Sequence, residues 1–408
     1  MIVCSIDLMG GKAVQLERGE RLVLERDDAV ALAERFGRLG EIAVIDLDAA
    51  RETGDNRALI ERLCRVARIR VGGGIRDVER ARGYLRAGAQ RVILGTAASP
   101  ELLRELPRER TIVALDSRNG LVTTNGWREL TAESPLERAR RLGPYCGGFL
   151  YTDVEREGLL GGIDVRRIEE LNAALGAPLT FAGGIRSVDE IRALDAIGVD
   201  AQIGMAVYTG LVDPVDAFVA SIDFSRGGGL APTVVCDARG GRVRMVANST
   251  RESLALALRE GAGIYWSRSR ASLWRKGETS GARQRLVRVS ADCDRDALVF
   301  YVEQEGPTCH SGAARCFGDL SFGWDDLVDR IDRRVAGGDV TSYTRRLADD
   351  PAFLDAKLRE EIGEVVDATD RDNLAWECAD VLYFLSVKMR ANGIGIADVM
   401  AQLASRAV

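Results

Sequence analysis

The first half of the chain repeats its own pattern of apolar runs and glycine turns. Val71–Arg76 reads VGGGIR and Phe181–Arg186 reads FAGGIR, while VILGTA at Val92–Ala97 returns as AQIGMA at Ala201–Ala206. Each copy is a short apolar run that ends in a glycine turn, which is the pattern of a strand followed by a loop. A repeat of this period predicts two structural halves that are built from the same units.

Strand-like and helix-like segments alternate throughout this region. Val78–Ala87 is one of the predicted helices. Strand–helix alternation over about 220 residues is typical of a parallel sheet that closes into an eight-stranded barrel. We therefore expect residues 1–221 to form a (βα)₈ TIM barrel of two half-barrel repeats. The predicted strands are Ile42–Asp46, Ile69–Val71, Arg91–Leu94, Thr111–Ala114, Phe149–Tyr151, Leu179–Phe181 and Ala201–Ile203.

The glycine turns of the two halves are candidate phosphate sites. Glycine allows backbone N–H groups to approach an anion closely, and a helix that starts after the turn adds its positive dipole end. A single Gly-Gly pair is usually only a tight turn, but matched pairs in both halves favour a ligand with a phosphate at each end. The candidate phosphate-binding residues are Gly73, Gly74, Gly95, Thr96, Gly183, Gly184 and Gly204.

Two aspartates occupy equivalent positions in the two halves. Asp7 follows the first apolar run in CSIDLMGG, and Asp116 follows a later one in VALDSRNG. Catalytic residues of this fold lie at the carboxyl ends of the strands. Carboxylates there can also be structural caps, but a pair facing each other between two phosphate sites predicts an acid and a base.

Residues 1–221 resemble ProFAR isomerase of histidine biosynthesis, which converts an aminoaldose to an aminoketose by an Amadori rearrangement. The resemblance is carried by SIDLMGGKAVQL, VIDLDAA, VGGGIR, LGTA and YTDVEREG. It implies that Asp7 is the general base, that Asp116 or Glu157 protonates the ribose ring, and that Thr152 positions the sugar. Trp127, which follows Gly126, favours the isomerase over a related cyclising barrel and is a candidate substrate contact.

Two residues depart from the pattern of the isomerases. Gln15 stands where the family usually has Arg, and Glu157 stands where it usually has Asp. The longer side chain of Glu157 moves its carboxylate by about one methylene, and a displacement of about 1 Å can cost ~100-fold in rate. We therefore expect isomerase activity that these departures weaken.

Residues 222–318 concentrate metal-binding residue types. Thiolates suit zinc, and three of them leave a fourth coordination position for water. The alternating aspartates offer hard oxygens that suit magnesium. Buried structural cysteines are the ordinary alternative, but they have no reason to cluster with a histidine between Gly-Pro turns. The candidate residues are Cys293, Cys309 and Cys316 for zinc, Asp292, Asp294 and Asp296 for magnesium, and the chain's only histidine, His310.

Before this cluster comes a basic stretch, WSRSRASLWRKGETSG. Arg268, Arg270 and Lys276, with the nearby Arg275, suit phosphate groups, and Trp266 or Trp274 could stack on a purine. Earlier in the domain, Thr233–Thr250 predicts a hairpin that turns at Arg239-Gly-Gly241, and Ser253–Glu260 predicts a helix. The boundary with the barrel falls at Ser225–Leu230, which is rich in glycine.

These motifs together resemble phosphoribosyl-AMP cyclohydrolase. The resemblance implies that the three cysteines bind Zn²⁺, that the three aspartates bind a second metal, and that His310 is an acid or base. It also implies a dimer with sites near the interface. Ser249-Thr250 and Ala282 depart from the family pattern without touching the predicted metal ligands.

Residues 319–408 are predicted to be helical. Leu327, Ile331 and Val335 recur at helical spacing, and Ser342–Thr344 marks a loop. Two later helices carry carboxylates that could hold Mg²⁺ over a pyrophosphate, although a solvated charged face is the commoner explanation. Ala379, Leu382 and Leu385 surround the second set and are expected to be buried. The candidate ligands are Glu360, Glu361, Glu364, Glu377 and Asp380.

The arrangement E-E-x-x-E followed by E-x-x-D resembles phosphoribosyl-ATP pyrophosphatase, a helical relative of the MazG-type pyrophosphohydrolases. Lys357 matches a lysine of that family and is a candidate phosphate contact. Phe384 replaces a histidine that is common in the family.

Charge and composition exclude several other classes. The net charge of −6 gives no electrostatic basis for nucleic-acid or membrane partners. The start of the chain lacks the pattern of a secretory signal, and the eight cysteines are distributed as in a protein of the reducing cytoplasm. Cys4, Cys64, Cys146 and Cys378 are expected to be core residues.

The three resemblances name consecutive reactions on phosphoribosyl nucleotides. The sequence thus predicts a trifunctional, homodimeric or larger cytoplasmic enzyme that uses Zn²⁺ and Mg²⁺. One rival is a bifunctional enzyme in which the barrel or the tail is a degenerate scaffold. A remote rival is a zinc-containing nucleic-acid-binding module, which the acidic net charge disfavours.

Overall fold

A computed structural model describes residues 1–238, 240–318, 322–337 and 341–406. One compact unit contains Met1–Cys316, and a second contains Phe317–Met400. Arg239, at the predicted hairpin turn, and residues 319–321, at the start of the predicted third domain, lie outside the described residues.

The amino-terminal region is a closed parallel barrel. Its elements in chain order are β1 (Ile2–Met9), β2 (Lys12–Glu17), β3 (Arg21–Arg26), α1 (Ala29–Gly37), β4 (Ile42–Asp46), α2 (Leu47–Arg51), α3 (Arg57–Val66), β5 (Ile69–Gly72), α4 (Val78–Arg86), β6 (Arg91–Leu94), α5 (Pro100–Arg104), β7 (Thr111–Ala114), β8 (Ser117–Arg118), β9 (Leu121–Thr124), β10 (Glu129–Leu130), α6 (Pro135–Leu142), β11 (Gly148–Thr152), α7 (Val165–Leu175), β12 (Leu179–Ala182), α8 (Val188–Ala196), β13 (Asp200–Ile203), α9 (Met205–Tyr208) and α10 (Pro214–Ala220).

Eight parallel strands form the barrel wall in the order β1-β4-β5-β6-β7-β11-β12-β13. Strand β13 pairs with β1, with Ala201 opposite Ile2 and Ile203 opposite Cys4, and this pairing closes the ring. The predicted barrel is therefore confirmed. The predicted strands lie where expected, and four of them extend by one or two residues.

The barrel strands are apolar on both faces because helices cover the outside and side chains fill the inside. Inside the ring, Ile93, Ile112, Ala114, Leu150 and Ala182 pack as a small buried cluster. A larger core lies between the strands and the surrounding helices and continues into the next domain. The wall is thus fixed by packing on both sides, and it holds the strand ends in place.

Two antiparallel additions lie near the carboxyl ends of the barrel strands. Strands β2 and β3 form a hairpin against β1, and β8, β9 and β10 form a small separate sheet. The hairpin is tied to the strand ends by the Arg18 N–H, which donates to the Glu157 carbonyl at 3.0 Å. The sequence analysis did not predict either addition.

The middle domain is a six-stranded sheet in the order β17-β16-β15-β14-β19-β18, with one helix. The predicted hairpin is present as β14 and β15, and the predicted helix is α11. The elements are β14 (Ala231–Asp237), β15 (Val243–Ser249), α11 (Arg251–Glu260), β16 (Ile264–Ser267), β17 (Ser272–Arg275), β18 (Gln284–Ala291) and β19 (Leu298–Gln304).

The second compact unit is helical, as predicted. Ile331, Leu347, Leu354, Phe384 and Val387 form its buried core. Its helices, the last of which continues beyond the unit along the chain, are α12 (Trp324–Ala336), α13 (Tyr343–Asp349), α14 (Pro351–Asp367), α15 (Arg371–Ala391) and α16 (Ile396–Arg406).

Two predictions about the helical region were wrong. Ser342–Thr344 is not a loop: the Ser342 side chain accepts the Arg345 N–H and starts helix α13. A serine before a helix satisfies a backbone donor that has no partner within the helix, so the polar residue marked a start and not a break.

The second error concerns burial on α15. Leu382 is 43% exposed and Leu385 is 37% exposed, and Ala379 and Cys378 are exposed as well. Helix α15 is apolar on more than one face, so periodicity alone cannot tell which face packs inward. Of the other predicted core cysteines, Cys4 and Cys146 are buried and Cys64 is partly buried. No helix in the described ranges is both long and apolar enough to cross a bilayer.

Candidate active sites

The barrel mouth holds a cavity of about 200 Å³ that gathers every residue predicted for this domain's site. The glycine turns of both halves line it together with the acidic residues from the ends of β1, β7 and β11. The predicted residues in its wall are Asp7, Gly73, Gly74, Gly95, Thr96, Asp116, Trp127, Thr152, Glu157, Gly183, Gly184 and Gly204.

The two glycine turns have matching geometry. Gly73 has φ +90° and Gly183 has φ +106°, a backbone region that favours glycine. A Cβ on Gly73 would lie 2.2 Å from the Asp46 carbonyl oxygen, and one on Gly183 would lie 2.6 Å from that of Asp153. Glycine is therefore required at both turns, and both turns line the cavity.

Two aspartates face this cavity with protein donors around them. Ser5 Oγ donates to Asp7 Oδ1 at 2.8 Å. Burial raises the pKa of Asp7 to about 6, and the Ser5 hydrogen bond opposes that rise. Burial also raises the pKa of Asp116, while hydrogen bonds from Thr152 and Trp127 hold it down. Near neutral pH, Asp7 is thus mostly ionised and can accept a proton.

Glu157 is a buried carboxyl group that retains its proton near neutral pH. Burial, together with the neighbouring charges of Asp7, Asp116 and Asp153, raises its pKa to about 8. The pKa values of Asp7 and Glu157 are pushed apart on one cavity wall, as expected for a base and an acid that operate together.

Four residues of this site were missed by the sequence analysis. Ser5 orients Asp7, while Arg51 and Arg76 line the cavity and carry positive charge beside the first glycine turn. Arg138 is buried in α6 and donates to the Gly95 carbonyl at 2.5 Å, beneath the predicted phosphate loop. The three arginines lie on different helices and loops with no regular spacing in the sequence, so no motif could have predicted them.

Gln15, which stands where the isomerases usually have Arg, has a buried side chain. Its Nε2 donates to the Val14 carbonyl at 2.9 Å, and it is 2% exposed. A Cβ on Gly204 would lie 2.7 Å from Gln15 Oε1. Gln15 thus packs beneath one of the predicted phosphate turns.

In the middle domain, the turn between β18 and β19 gathers three carboxylates. Asp292, Asp294 and Asp296 each place an oxygen within 4.8 Å of the others. The Ala297 N–H donates to Asp292 Oδ1 and the Asp292 N–H donates to the Ala297 carbonyl, both at 3.1 Å, which closes the turn. The hard oxygen donors of this cluster fit a divalent cation such as Mg²⁺.

The predicted thiolate ligands are divided. Cys309 and Cys316 interact, and Ser311 Oγ donates to Cys309 Sγ at 3.1 Å. That hydrogen bond lowers the pKa of Cys309, and the Cys309 sulfur lies 3.8 Å from His310 Nδ1. Cys293 lies on the acidic turn. Among the described residues of one chain, the three sulfurs do not all lie within the 4.8 Å of one another that a shared metal ion would require.

The basic stretch places cations against an aromatic ring. Arg270 and Lys276 each lie 5.8 Å from the centre of the Trp274 ring. Lys276 also donates to the Thr308 carbonyl at 2.6 Å, next to Cys309. Arg268 is exposed in the same loop. Of the predicted phosphate contacts, Lys276 therefore approaches the cysteine loop.

The remaining residues of interest in this domain have structural roles. Arg275 forms an ion pair with Glu260. Ser249 shares a buried hydrogen bond of 2.8 Å with Thr233, and Thr250 caps α11. Ala282 is buried.

In the helical unit, Glu361 from α14 and Glu377 and Asp380 from α15 form a second carboxylate cluster, with one oxygen from each within 4.8 Å. Burial raises the pKa of Glu361, and the negative charges of Glu364 and Asp380 also raise it. Burial also raises the pKa of Glu377, which hydrogen-bonds to Glu364. Carboxylates that repel one another in this way fit a divalent cation.

Glu360 turns toward a lysine. Lys357 Nζ donates to Glu360 Oε2 at 2.7 Å and lies 3.7 Å from Glu361 Oε1, so it links the two glutamates. Phe384 is buried and its ring contacts Tyr343 and Tyr383 edge to face. This departure from the pyrophosphatase pattern fills the core of the unit.

Three family models match the chain in sequence order. The model of the histidine biosynthesis protein covers residues 1–213, that of phosphoribosyl-AMP cyclohydrolase covers 245–318, and that of phosphoribosyl-ATP pyrophosphohydrolase covers 324–407. Both hydrolase families use metal ions.

Similar proteins fall into two groups. An imidazole-4-carboxamide isomerase of Methanosphaera stadtmanae is 38% identical over 53% of this chain and 98% of its own length. A histidine biosynthesis trifunctional protein of Saccharomyces bayanus is 42% identical over 44% of this chain, and that of Saccharomyces cerevisiae is 45% identical over 37%. The matches cover 23% and 19% of those two longer proteins.

Each of the three matched ranges contains one of the sites described above: the cavity lies in the first, and one acidic cluster lies in each of the other two. The chain belongs to the histidine biosynthesis protein family through its barrel, and it joins that barrel to a phosphoribosyl-AMP cyclohydrolase domain and a phosphoribosyl-ATP pyrophosphohydrolase domain.

Proposed function

We propose that this chain catalyses three consecutive steps of histidine biosynthesis. Residues 319–408 would remove pyrophosphate from phosphoribosyl-ATP, residues 222–318 would open the purine ring of phosphoribosyl-AMP, and residues 1–221 would isomerise the resulting aminoaldose. One observation carries the proposal: each of the three matched domains brings together residues that suit its step. These are the acidic residues and glycine turns of the barrel cavity and one carboxylate cluster in each of the other two domains.

In the barrel, we assign the proton transfers to Asp7 and Glu157. Glu157 delivers its proton to the ribose ring oxygen as the C1′–O bond breaks and a C1′=N bond forms. The Asp7 carboxylate then takes the C2′ proton, and the resulting enolamine tautomerises to the aminoketose. Asp116, with Thr152 and Trp127 as donors, holds the sugar between the two phosphate sites. The raised pKa of Glu157 supports its role as the acid, because the group is protonated near neutral pH.

In the middle domain, we assign zinc binding to Cys293, Cys309 and Cys316. Bound zinc lowers the pKa of a coordinated water, so that hydroxide is available near neutral pH. His310, beside Cys309, moves the proton, while Arg268, Arg270 and Lys276 hold the phosphates. The aspartates of the 292–296 turn bind a second, oxygen-preferring cation such as Mg²⁺.

In the helical unit, the cluster of Glu361, Glu364, Glu377 and Asp380 would hold Mg²⁺ against the substrate's polyphosphate, and Lys357 would contact a phosphate. Bound Mg²⁺ neutralises charge on the phosphate oxygens. Glu360 stays in the predicted ligand set, although its contact with Lys357 favours a role in orienting that lysine.

We further propose that the chain forms a homodimer. The division of Cys293 from Cys309 and Cys316 supports a zinc site that takes ligands from two copies. Exposed apolar residues of α14 and α15, among them Val366 at 77% and Trp376 at 71%, support a second contact. Eight free thiols suit the reducing cytoplasm proposed from the sequence.

A one-pot assay from phosphoribosyl-ATP with Zn²⁺ and Mg²⁺ tests the function. We expect the aminoketose to accumulate, and chromatography at successive times should detect both intermediates. A stall at one intermediate would identify an inactive domain and favour the bifunctional alternative, and turnover of none of the three substrates would refute the proposal. Asp7→Asn, Cys309→Ser and Glu377→Gln, each expected to stop one step, are the controls.

A further inference from the structure

The acidic turn of the middle domain has an unusual residue at its centre. Arg295 lies between Asp294 and Asp296 and has φ +60°, a backbone conformation that residues other than glycine, asparagine and aspartate rarely adopt. It is followed by the start of β19, whose Leu298 is fully packed. A backbone conformation of this kind persists only where the surroundings hold it.

The contacts that hold Arg295 come from the barrel and from the segment that directly follows it. Both of its terminal nitrogens, Nη1 and Nη2, donate to the carboxylate of Asp195 in helix α8. The backbone of the same residue is also held, because the Asp223 N–H donates to the Arg295 carbonyl at 2.8 Å. Asp195 and Arg295 are 23% and 24% exposed, so this two-pronged ion pair is mostly shielded from water.

The barrel contacts the middle domain elsewhere through separate residues. Arg259 of α11 pairs with Asp213 at 3.1 Å and also with Asp216, both on the barrel side. Arg38 donates to the carbonyls of Leu258 and Arg259 at the end of α11. These contacts hold a helix, whereas the Asp195–Arg295 pair holds the turn that carries the three carboxylates.

We propose that Asp195 and Arg295 are positioning residues through which the barrel holds the 292–296 turn in the shape that brings Asp292, Asp294 and Asp296 together for a divalent cation. The inference rests on the proposed cation site of the cyclohydrolase domain. It assigns the barrel a second role, as a scaffold for a reaction that it does not itself catalyse.

The physical basis is the balance of forces within the turn. The three carboxylates lie within 4.8 Å of one another and repel, and the left-handed backbone at Arg295 adds a further cost. Arg226 offsets part of the repulsion by pairing with Asp294 and Asp296, and what remains of both effects favours a turn that opens in the absence of a cation. An ion pair to a rigid helix of the barrel opposes that opening and preorganises the site, which strengthens cation binding.

The test is Mn²⁺ binding, measured by electron paramagnetic resonance on the full chain with zinc supplied first. The chain carries Glu361→Gln and Glu377→Gln throughout, so that the helical cluster does not compete. We expect Asp195→Asn and Arg295→Gly each to weaken Mn²⁺ binding about fivefold. In Arg295→Gly, glycine also relieves the backbone cost, so a loss of Mn²⁺ affinity in this variant reports the missing ion pair alone.

Asp216→Asn is the matched control, since it removes an ion pair between the same two domains without touching the turn. It should leave Mn²⁺ affinity unchanged, and all three variants should retain isomerase activity. Unchanged Mn²⁺ binding in Asp195→Asn and Arg295→Gly would overturn the inference alone. Loss of isomerase activity in parallel with Mn²⁺ binding would also overturn it, since general unfolding would then explain both. If Asp294→Asn failed to weaken Mn²⁺ binding, the proposed cation site itself would fall.

Discussion

The barrel cavity and the carboxylate cluster of the helical unit handle negative charge in different ways. In the barrel, Asp7 receives a hydrogen bond from Ser5, and Asp116 receives hydrogen bonds from Thr152 and Trp127. In the helical unit, Glu361 and Glu377 face further carboxylates, which raise the pKa of each. Protein donors thus surround both aspartates of the barrel, whereas Glu361 and Glu377 have Lys357 and Asn373 as donors beside several carboxylates. We therefore expect the helical site to depend more strongly on a bound cation.

The largest effect should come from removing the barrel's base. Asp7→Asn keeps the shape and the Ser5 contact but cannot accept the C2′ proton, so isomerase kcat should fall on the order of 10³-fold. Separate assays of the three steps check this, and the two hydrolase activities should be unchanged. Isomerase activity within about tenfold of the parent would show that another group is the base.

The next largest effect should be on pyrophosphohydrolase activity, and it should differ between Glu377, which faces other carboxylates, and Glu360, which faces a lysine. Glu377→Gln removes a cluster ligand and should lower pyrophosphohydrolase kcat/KM about 100-fold, with a higher Mg²⁺ requirement. Glu360→Gln removes a residue whose partner is Lys357, so it should cost only about threefold. Mg²⁺ titrations of both variants test the difference, and equal losses would place Glu360 among the ligands.

The divided cysteines give a prediction about assembly. Cys293→Ser and Cys309→Ser should each abolish cyclohydrolase activity, because each removes a thiolate ligand. If the zinc site joins two copies, an equimolar mixture of the two inactive variants should regain up to about one quarter of the parent activity, because about half of the dimers are mixed and each mixed dimer has one intact site of two. Activity and zinc content are measured after mixing and re-equilibration, with each variant alone as the control. A mixture that stays inactive would contradict a shared site.

The comparison also explains how much the sequence could predict. Every candidate residue of the barrel lines one cavity because strand ends are fixed by the fold, and the repeat located those ends. The helical cluster followed from spacing along two helices, since positions three or four residues apart share a face. In both cases a local pattern, combined with a regular architecture, was sufficient.

The sequence failed where position depends on contacts distant along the chain. Arg138 reaches the Gly95 carbonyl from another element, and Arg295 meets Asp195 across a separation of 100 residues. The division of Cys293 from Cys309 was hidden for the same reason, because closeness in the sequence suggested one cluster. The exposed Leu382 and Leu385 were misjudged because an apolar face can serve a partner as well as a core.

A smaller effect should appear in stability as a function of pH. Glu157 has its pKa raised from 4.5 to about 8 in the folded chain, so it favours the folded state fully below pH 4.5 and loses that contribution as pH rises toward 8. Glu157→Gln cannot ionise and should gain stability relative to the parent across this range. Thermal unfolding at pH 5 and pH 8 should show a difference that grows by a few degrees. A difference independent of pH would mean that Glu157 is ionised in the folded protein.

The smallest effect concerns an arginine that already neutralises one of the acidic clusters. Arg226, from the segment that joins the barrel to the middle domain, pairs with Asp294 and lies 3.1 Å from Asp296. A cation bound by these carboxylates must displace the guanidinium, so Arg226→Ala should raise Mn²⁺ affinity about twofold, a modest gain because the pair is exposed. Arg226→Lys, which keeps the charge, is the control, and the gain should shrink at high salt. Weaker Mn²⁺ binding in Arg226→Ala would mean instead that the arginine supports the turn, so that the middle domain, like the barrel, would use a protein donor to hold its carboxylates in place.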